Sequence, residues 1–206
     1  MLIGLRVYYF RAIARGMFHC YRCGGDRPYL RRSGRRWFQV LLVPLVPLSR
    51  TGEHILCSIC RTAYRVEVLR LPTAAQMLIA LPAALRAAAA ALLSGGDPPA
   101  VTVRRRAIET IRRAGAAEYD DAALDADLAR AAEPGQDSAR QLGSLALQLE
   151  DEAREWFLAD VVRIGLADGP LSGQQRQAAT VVAAQLGMTA ARAHGVISMT
   201  EEAAAA

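Results

Sequence analysis

The rhythm of apolar positions changes once along this chain, near residue 70. Residues 26–56 read as strands, with short apolar runs broken by polar residues and turn formers. Ser33-Gly34 suggests a turn there, flanked by the arginine pairs Arg31-Arg32 and Arg35-Arg36. Val40–Leu48 is rich in β-formers, and Pro44 and Pro47 confine it to a sheet edge or corner. Two readings stand for it: the face that docks the sheet on the helical half of the chain, or an exposed patch for a partner or a membrane. Gly52–Leu56 leads back as a strand, and Thr62–Leu69 alternates as a closing strand. Residues 1–18 form a strand or short lead-in packed on this sheet. Arg6 and Arg11 interrupt the apolar run that a signal peptide or a membrane span requires. Shallow membrane contact by Leu2, Ile3, Tyr8, Tyr9 and Phe10 is the alternative reading of this segment.

Leu71-Pro72-Thr73 marks a boundary, with Thr73 as N-cap of a first long helix. Met77–Leu93 is apolar, but Pro82 and Arg86 inside it favour a buried core helix over a membrane span. The rest of the chain reads as two similar three-helix units. The first is a helix ending at Leu93, a loop Gly95-Gly96-Asp97, a helix over about 102–114, Gly115, and a helix over about 119–130. The second is a helix over about 145–166, a loop Ala167-Asp168-Gly169, a helix over about 172–186, Gly187, and a helix from Thr189. Glu133–Ser138 links them, and Gly115 and Gly187 fit helix C-caps. Leu142, Leu145, Leu149, Trp156, Phe157, Val161 and Ile164 fall near one stripe, which places Trp156 and Phe157 in the core. The fold class is therefore α+β: a small β domain over 1–70 and an all-helical domain over 71–206.

The chemistry lies in the only four cysteines, Cys20-x-x-Cys23 and Cys57-x-x-Cys60. Two residues between thiolates let a tight turn aim both sulfurs at one ion, so the pattern reads as a four-thiolate zinc ribbon. The spacing between the pairs exceeds that of an ordinary ribbon, so an extra hairpin lies between them. Four thiolates leave no open position for a substrate, which makes one structural Zn²⁺ the expected cofactor. His19 and His54 lie near the pairs as substitute ligands or as ordinary surface histidines.

Charge divides along the same boundary. All 25 basic residues are arginine, and residues 1–70 hold 13 of them against Asp26, Glu53 and Glu67. A basic first domain points to an anionic partner. Arg31, Arg32, Arg35 and Arg36 with Trp37 are candidate contacts for nucleic acid or another anion, charge for phosphate and a ring for stacking. The other reading is a solvated hairpin tip with Trp37 and Phe38 in the ribbon core. Asp120, Asp121, Asp125 and Asp127 read as a solvated acidic face.

The segment Ile164-Gly165-Leu166-Ala167-Asp168-Gly169-Pro170-Leu171-Ser172, with Leu186-Gly187-Met188-Thr189 after it, resembles the loop signature of TerB-like domains from tellurite-resistance and stress-response proteins. The front half is similar to the zinc ribbons that precede such domains in some bacterial members. The resemblance implies an all-helical bundle and, in some members, acidic metal sites at the two loops, carried here by Asp97 and Asp168. The acid usual about seven residues further on is Gln175 here, and Arg104 in the first unit. Without those oxygens a hard cation is poorly served, and Asp168 is then a cap for the next helix.

No catalytic set, phosphate-cradling loop or metalloenzyme pair stands out, and His194 is alone in an alanine-rich helix. The expected function is a non-enzymatic, cytoplasmic zinc-binding interaction protein of the TerB-like type, with a protein partner. The alternative is nucleic-acid binding through residues 1–70. Peripheral membrane contact is a further possibility, and no transmembrane segment is expected.

Overall fold

The computed structural model describes residues 3–40, 43–94, 98–132 and 138–205. Asp97 and most of the expected linker, 133–137, fall outside them, as does Leu2. Side-chain placement at Ile3, Tyr8, Tyr9 and Phe10 falls outside them too. The chain forms two compact units, 1–77 and 78–206.

The first unit is an antiparallel sheet in the order β1-β2-β3-β4, with β1 at Ile3–Cys20, β2 at Gly25–Val40, β3 at Val43–Cys57 and β4 at Ala63–Arg65. The lead-in is thus a full strand. Ser33-Gly34 is not a turn. β2 runs straight through it, and the pairing with β3 slips there from Ser33–Glu53 to Gly34–Thr51. The extra residue is Gly52 on β3, opposite consecutive Ser33 and Gly34 on β2, and glycine in mid-strand absorbs such a bulge. β2 runs on to Val40, so Trp37 and Phe38 sit well inside a strand. Trp37 is half-buried and Phe38 is exposed. Leu45, Val46 and Leu48 are also exposed, contrary to the docking face expected over Val40–Leu48.

Among the described residues the core of the sheet lies at one end. Phe18, Cys20, Ile55 and Cys57 are buried there, with Tyr29, Tyr64, Val68 and Leu69 packed against them. Val68 and Leu69 come from a 3₁₀ helix, Val66–Arg70, which stands where a closing strand was expected beyond Arg65. The Phe18 ring meets Tyr29 and Tyr64 edge-on, at 5.8 and 5.4 Å between centroids. Gly16 makes room for this packing. A Cβ there would lie 3.0 Å from the Tyr29 ring.

Seven α-helices come next among the described residues: α1 at Ala74–Leu93, α2 at Val101–Arg113, α3 at Asp121–Ala131, α4 at Ser138–Ala146, α5 at Asp151–Gly165, α6 at Gly173–Gln185 and α7 at Ala190–Ala205. The expected helix over 145–166 is two helices. Glu150 takes an extended conformation, and Asp151 and Glu152 begin α5 where negative charge suits a helix N-terminus. The unit boundary falls between Met77 and Leu78, so α1 starts in one unit and continues in the other. Thr73 and Gln76 form a reciprocal capping box at its start, with Gln76 N–H to Thr73 Oγ1 at 3.2 Å and Thr73 N–H to Gln76 Oε1 at 2.9 Å.

In the helical unit α5 is the hub, packed against α2, α6 and α7. It buries Phe157, Leu158, Val161, Val162 and Ile164. Trp156, one position round from Phe157, is 61% exposed instead of in the core. The neighbouring residue captures the stripe, and a 100° step carries Trp156 off it. Gly165 allows a close approach at the end of α5, since a Cβ there would lie 2.5 Å from Leu171 Cδ2. Gly115 (φ 122°) and Gly187 (φ 74°) turn the chain after α2 and α6 as expected.

The stretch 66–93 is long and apolar enough to cross a membrane by length and composition. Within the helical unit, however, Ala84, Leu85, Ala88, Ala89, Leu92 and Leu93 are buried. Arg86 reaches Asp127 on α3 through two hydrogen bonds of 2.8 and 2.9 Å. Tyr119 Oη donates to the same carboxylate at 2.8 Å, and Arg130 pairs with it as well. Asp127 is therefore not part of a solvated face; it is buried at 4% exposure. Burial opposes its ionisation, but the hydrogen bonds from Arg86 and Tyr119 hold its carboxyl below the usual range.

Candidate metal centre

Each cysteine pair closes a tight turn between strands. Cys20 ends β1 and Cys23 leads into β2; Cys57 ends β3 and Cys60 leads toward β4. The two turns share one backbone plan. Gly24 N–H donates to Cys20 O at 2.9 Å, and Arg61 N–H donates to Cys57 O at 3.1 Å. Gly24 has φ 64° and Arg61 has φ 61°, so each pair is followed by a left-handed residue. Arg61 is the one non-glycine in that region among the described residues.

Because β1 and β3 flank β2 in antiparallel register, both turns fall at the same end of the sheet. All four sulfurs come within 4.8 Å of one another, with Cys20 and Cys57 buried and Cys23 and Cys60 half-buried. Cys20 Sγ lies 3.7 Å from Cys60 Sγ, far beyond the ~2.05 Å of a disulfide. The expected hairpin between the pairs is β2–β3.

Polar neighbours favour the ionised state at two of the sulfurs. Tyr64 Oη is 3.2 Å from Cys20 Sγ and accepts from Arg22 N–H at 3.4 Å. Burial opposes ionisation of Cys20, yet Tyr64 and the backbone at Cys23 draw its thiol below the ordinary value. Thr62 Oγ1 lies 3.3 Å from Cys60 Sγ; its hydroxyl and backbone bring that thiol down to about 6. Burial, with hydrogen bonding to the other cysteines, pushes Cys23 up to about 11.

The histidines are not part of it. Strand alternation puts His19 and His54 on the face opposite Cys20 and Cys57. His19 Nδ1 turns to Asp26 Oδ1 at 3.5 Å. Asp26 in turn accepts from Ala74 N–H at 3.0 Å and Ala75 N–H at 3.2 Å, fastening the start of α1 beside the first cysteine turn. Those backbone donors hold its carboxyl below the usual range. Sequence reasoning passed over Tyr64, Thr62 and Asp26. Aligning Cys23-Gly24 with Cys60-Arg61 would have exposed the strained arginine.

The other candidate residues disperse. Arg31 is held by Glu53 across β2–β3 at 2.5 Å, Arg32 is half-buried, and Arg35 and Arg36 are exposed. Asp168 does not cap α6: Ser172 and Gln175 do so with a reciprocal box of 3.1 and 2.9 Å. Gln175, standing where the TerB-like pattern has an acid, is thereby committed to the helix. Asp168 accepts from Thr102 Oγ1 at 3.0 Å, and no acidic partner joins it among the described residues. Asp121 and Asp125 both pair with Arg104, at 3.1 and 2.8 Å, which satisfies them without a cation.

Comparison with family models, with curated proteins and with solved structures gives no match for this chain.

Proposed function

We propose that the chain is a non-enzymatic interaction protein whose sheet unit is stapled by one structural Zn²⁺ on Cys20, Cys23, Cys57 and Cys60. The convergence of the four sulfurs carries this reading. A tetrahedron of sulfurs about 2.3 Å from Zn²⁺ has edges of about 3.8 Å. The 3.7 Å between Cys20 and Cys60 Sγ matches one such edge, and all four sulfurs lie within 4.8 Å of one another. Four thiolates satisfy the ion and leave it no water to activate, so the metal supplies folding free energy and no reaction. Tyr64 and Thr62 would hold two of the sulfurs by hydrogen bonds in the metal-bound state.

For the helical unit we keep the TerB-like reading, and with it a role in tellurite or general stress response through a protein partner. Its support is the Ile164–Ser172 segment and the succession α1–α3 and α5–α7, with α4 as an addition. Native mass spectrometry of freshly reduced protein, with the metal identified, tests the proposal. One zinc per chain, unchanged in Asp168→Ala, is the expected result. Zinc-free reduced protein would sink the ribbon. A second cation lost in Asp168→Ala would replace the scaffold reading with a metal-sensing one.

A further inference from the structure

The sheet carries more exposed apolar surface at the end away from the cysteines than its own fold requires. Leu45 is 56% exposed, Val46 50%, Leu48 51% and Phe38 36%. Leu45 is 12 residues along β3 from Cys57, roughly 40 Å from the metal centre at ~3.3 Å per residue. Phe38 and Val46 are paired across β2 and β3 and so share one face, which joins an exposed ring to the exposed aliphatic surface.

Arginine begins directly behind the apolar tip. Arg50 lies two residues past Leu48 and pairs in register with Arg35, while Arg36 pairs with Val7 and Arg6 with Trp37. At ~3.3 Å per residue this puts the cationic band about 5–15 Å behind Leu45–Leu48. That is the depth separating acyl chains from headgroups when a peripheral element lies about 5–10 Å into a membrane. The arginines are largely uncompensated: residues 1–70 hold 13 of them against three acids. Among the described residues the nearest acid, Glu53, is taken by Arg31 further along the sheet and pairs with neither Arg35 nor Arg36.

We propose that the tip of this sheet, through Phe38, Leu45, Val46 and Leu48 with Arg35 and Arg36 behind them, inserts into the headgroup layer of an anionic lipid surface. The proposal rests on the interaction-protein reading above, because the metal must order the sheet that presents the tip. Aliphatic side chains have no role in stacking on bases, so this composition suits acyl chains and not a single-stranded nucleic acid. Insertion stops at the headgroups. Among the described residues β1 and the distal part of β3 each leave one edge without a strand partner, and hydrocarbon cannot satisfy those backbone groups.

Co-sedimentation of the full, zinc-loaded chain with vesicles tests it. Binding is expected to phosphatidylcholine–phosphatidylglycerol vesicles and not to phosphatidylcholine alone. Replacing Leu45, Val46 and Leu48 together by Ser lowers the partition coefficient roughly 100-fold. Replacing Arg35 and Arg36 by Ala lowers it roughly 30-fold, at about 1 kcal/mol per arginine near an anionic surface. Zinc is counted in every sample, so zinc-loaded protein that ignores anionic vesicles overturns this inference while leaving the zinc site standing. Undiminished binding by the triple Ser variant also overturns it, moving the contact elsewhere, for instance to exposed Leu78 and Ile79 of α1. Capture of single-stranded DNA in place of vesicles overturns it in favour of a nucleic-acid surface. A second measurement needs no tip variant. Trp156→Phe leaves Trp37 as the only tryptophan, and lipids brominated on their acyl chains should quench it; no quenching refutes insertion.

Discussion

The two units are held together by unequal means. The helical unit buries a broad apolar core in which α5 alone contributes Phe157, Leu158, Val161, Val162 and Ile164. The sheet unit buries one small cluster among its described residues, and two of its four members, Cys20 and Cys57, are cysteines. A domain with so little apolar burial needs another source of free energy. In our proposal the metal is that source, so one unit is folded by the hydrophobic effect and the other by coordination.

The strongest way to break this contrast is to remove the metal. Chelation under reducing conditions should cost the sheet unit on the order of 10 kcal/mol and unfold it. Far-UV circular dichroism would then keep its helical bands while the strand signal and the sheet unit's share of the near-UV aromatic signal are lost. A sheet that survived complete metal removal would show that Phe18, Ile55, Tyr29 and Tyr64 suffice. The reciprocal experiment is Asp127→Ala. It leaves Arg86 without its carboxylate in a half-buried setting and should destabilise the helical unit by about 3 kcal/mol. Thermal unfolding measures the loss, and zinc stoichiometry should not change.

Acid sharpens the same division. Asp127 has a folded pKa below its unfolded value, so its contribution is present above the usual carboxylate range and fades only as pH falls through the lower folded value. Metal-bound thiolates are lost earlier, because protons compete with the ion for sulfur. In a titration downward from neutrality the sheet signal should therefore disappear before the helical signal. Simultaneous loss would mean that the two units fold as one. The smallest expected effect is at the cysteine turns. Arg61→Gly relieves a left-handed non-glycine and should gain about 1 kcal/mol in metal binding, while Gly24→Ala should lose about as much. Competition with a chromogenic zinc chelator reads both, as changes of about fivefold in opposite directions.

The cysteine centre was legible because it is local: spacing alone states that each pair closes a turn, and only the meeting of the two turns needed the fold. Thr73 as a cap was legible for the same reason. What misled were features decided by partners distant in sequence. Ser33-Gly34 looks like a turn until β1 and β3 supply the strands that flank it on either side. Asp127 looks solvent-facing until Arg86, 41 residues earlier, is brought beside it. Trp156 shares a stripe with Phe157 only if one ignores the 100° between neighbours on a helix. Asp168 could be assigned to α6 from spacing, but Ser172 sits closer to that helix and Thr102 claims the carboxylate.

Arg86 has a consequence for how this protein is made. As residues 74–93 leave the ribosome they are, by hydropathy, almost a signal for insertion into a bilayer. An arginine near the centre of such a segment raises the cost of insertion by about 2.5–3.5 kcal/mol on translocon scales. During synthesis that charge argues against insertion; after folding it fastens α1 to α3 through Asp127. Replacing Arg86 by Leu would therefore do more than loosen a helix pair: it would erase an address label, leaving the nascent chain open to misrouting before its partner aspartate had been translated.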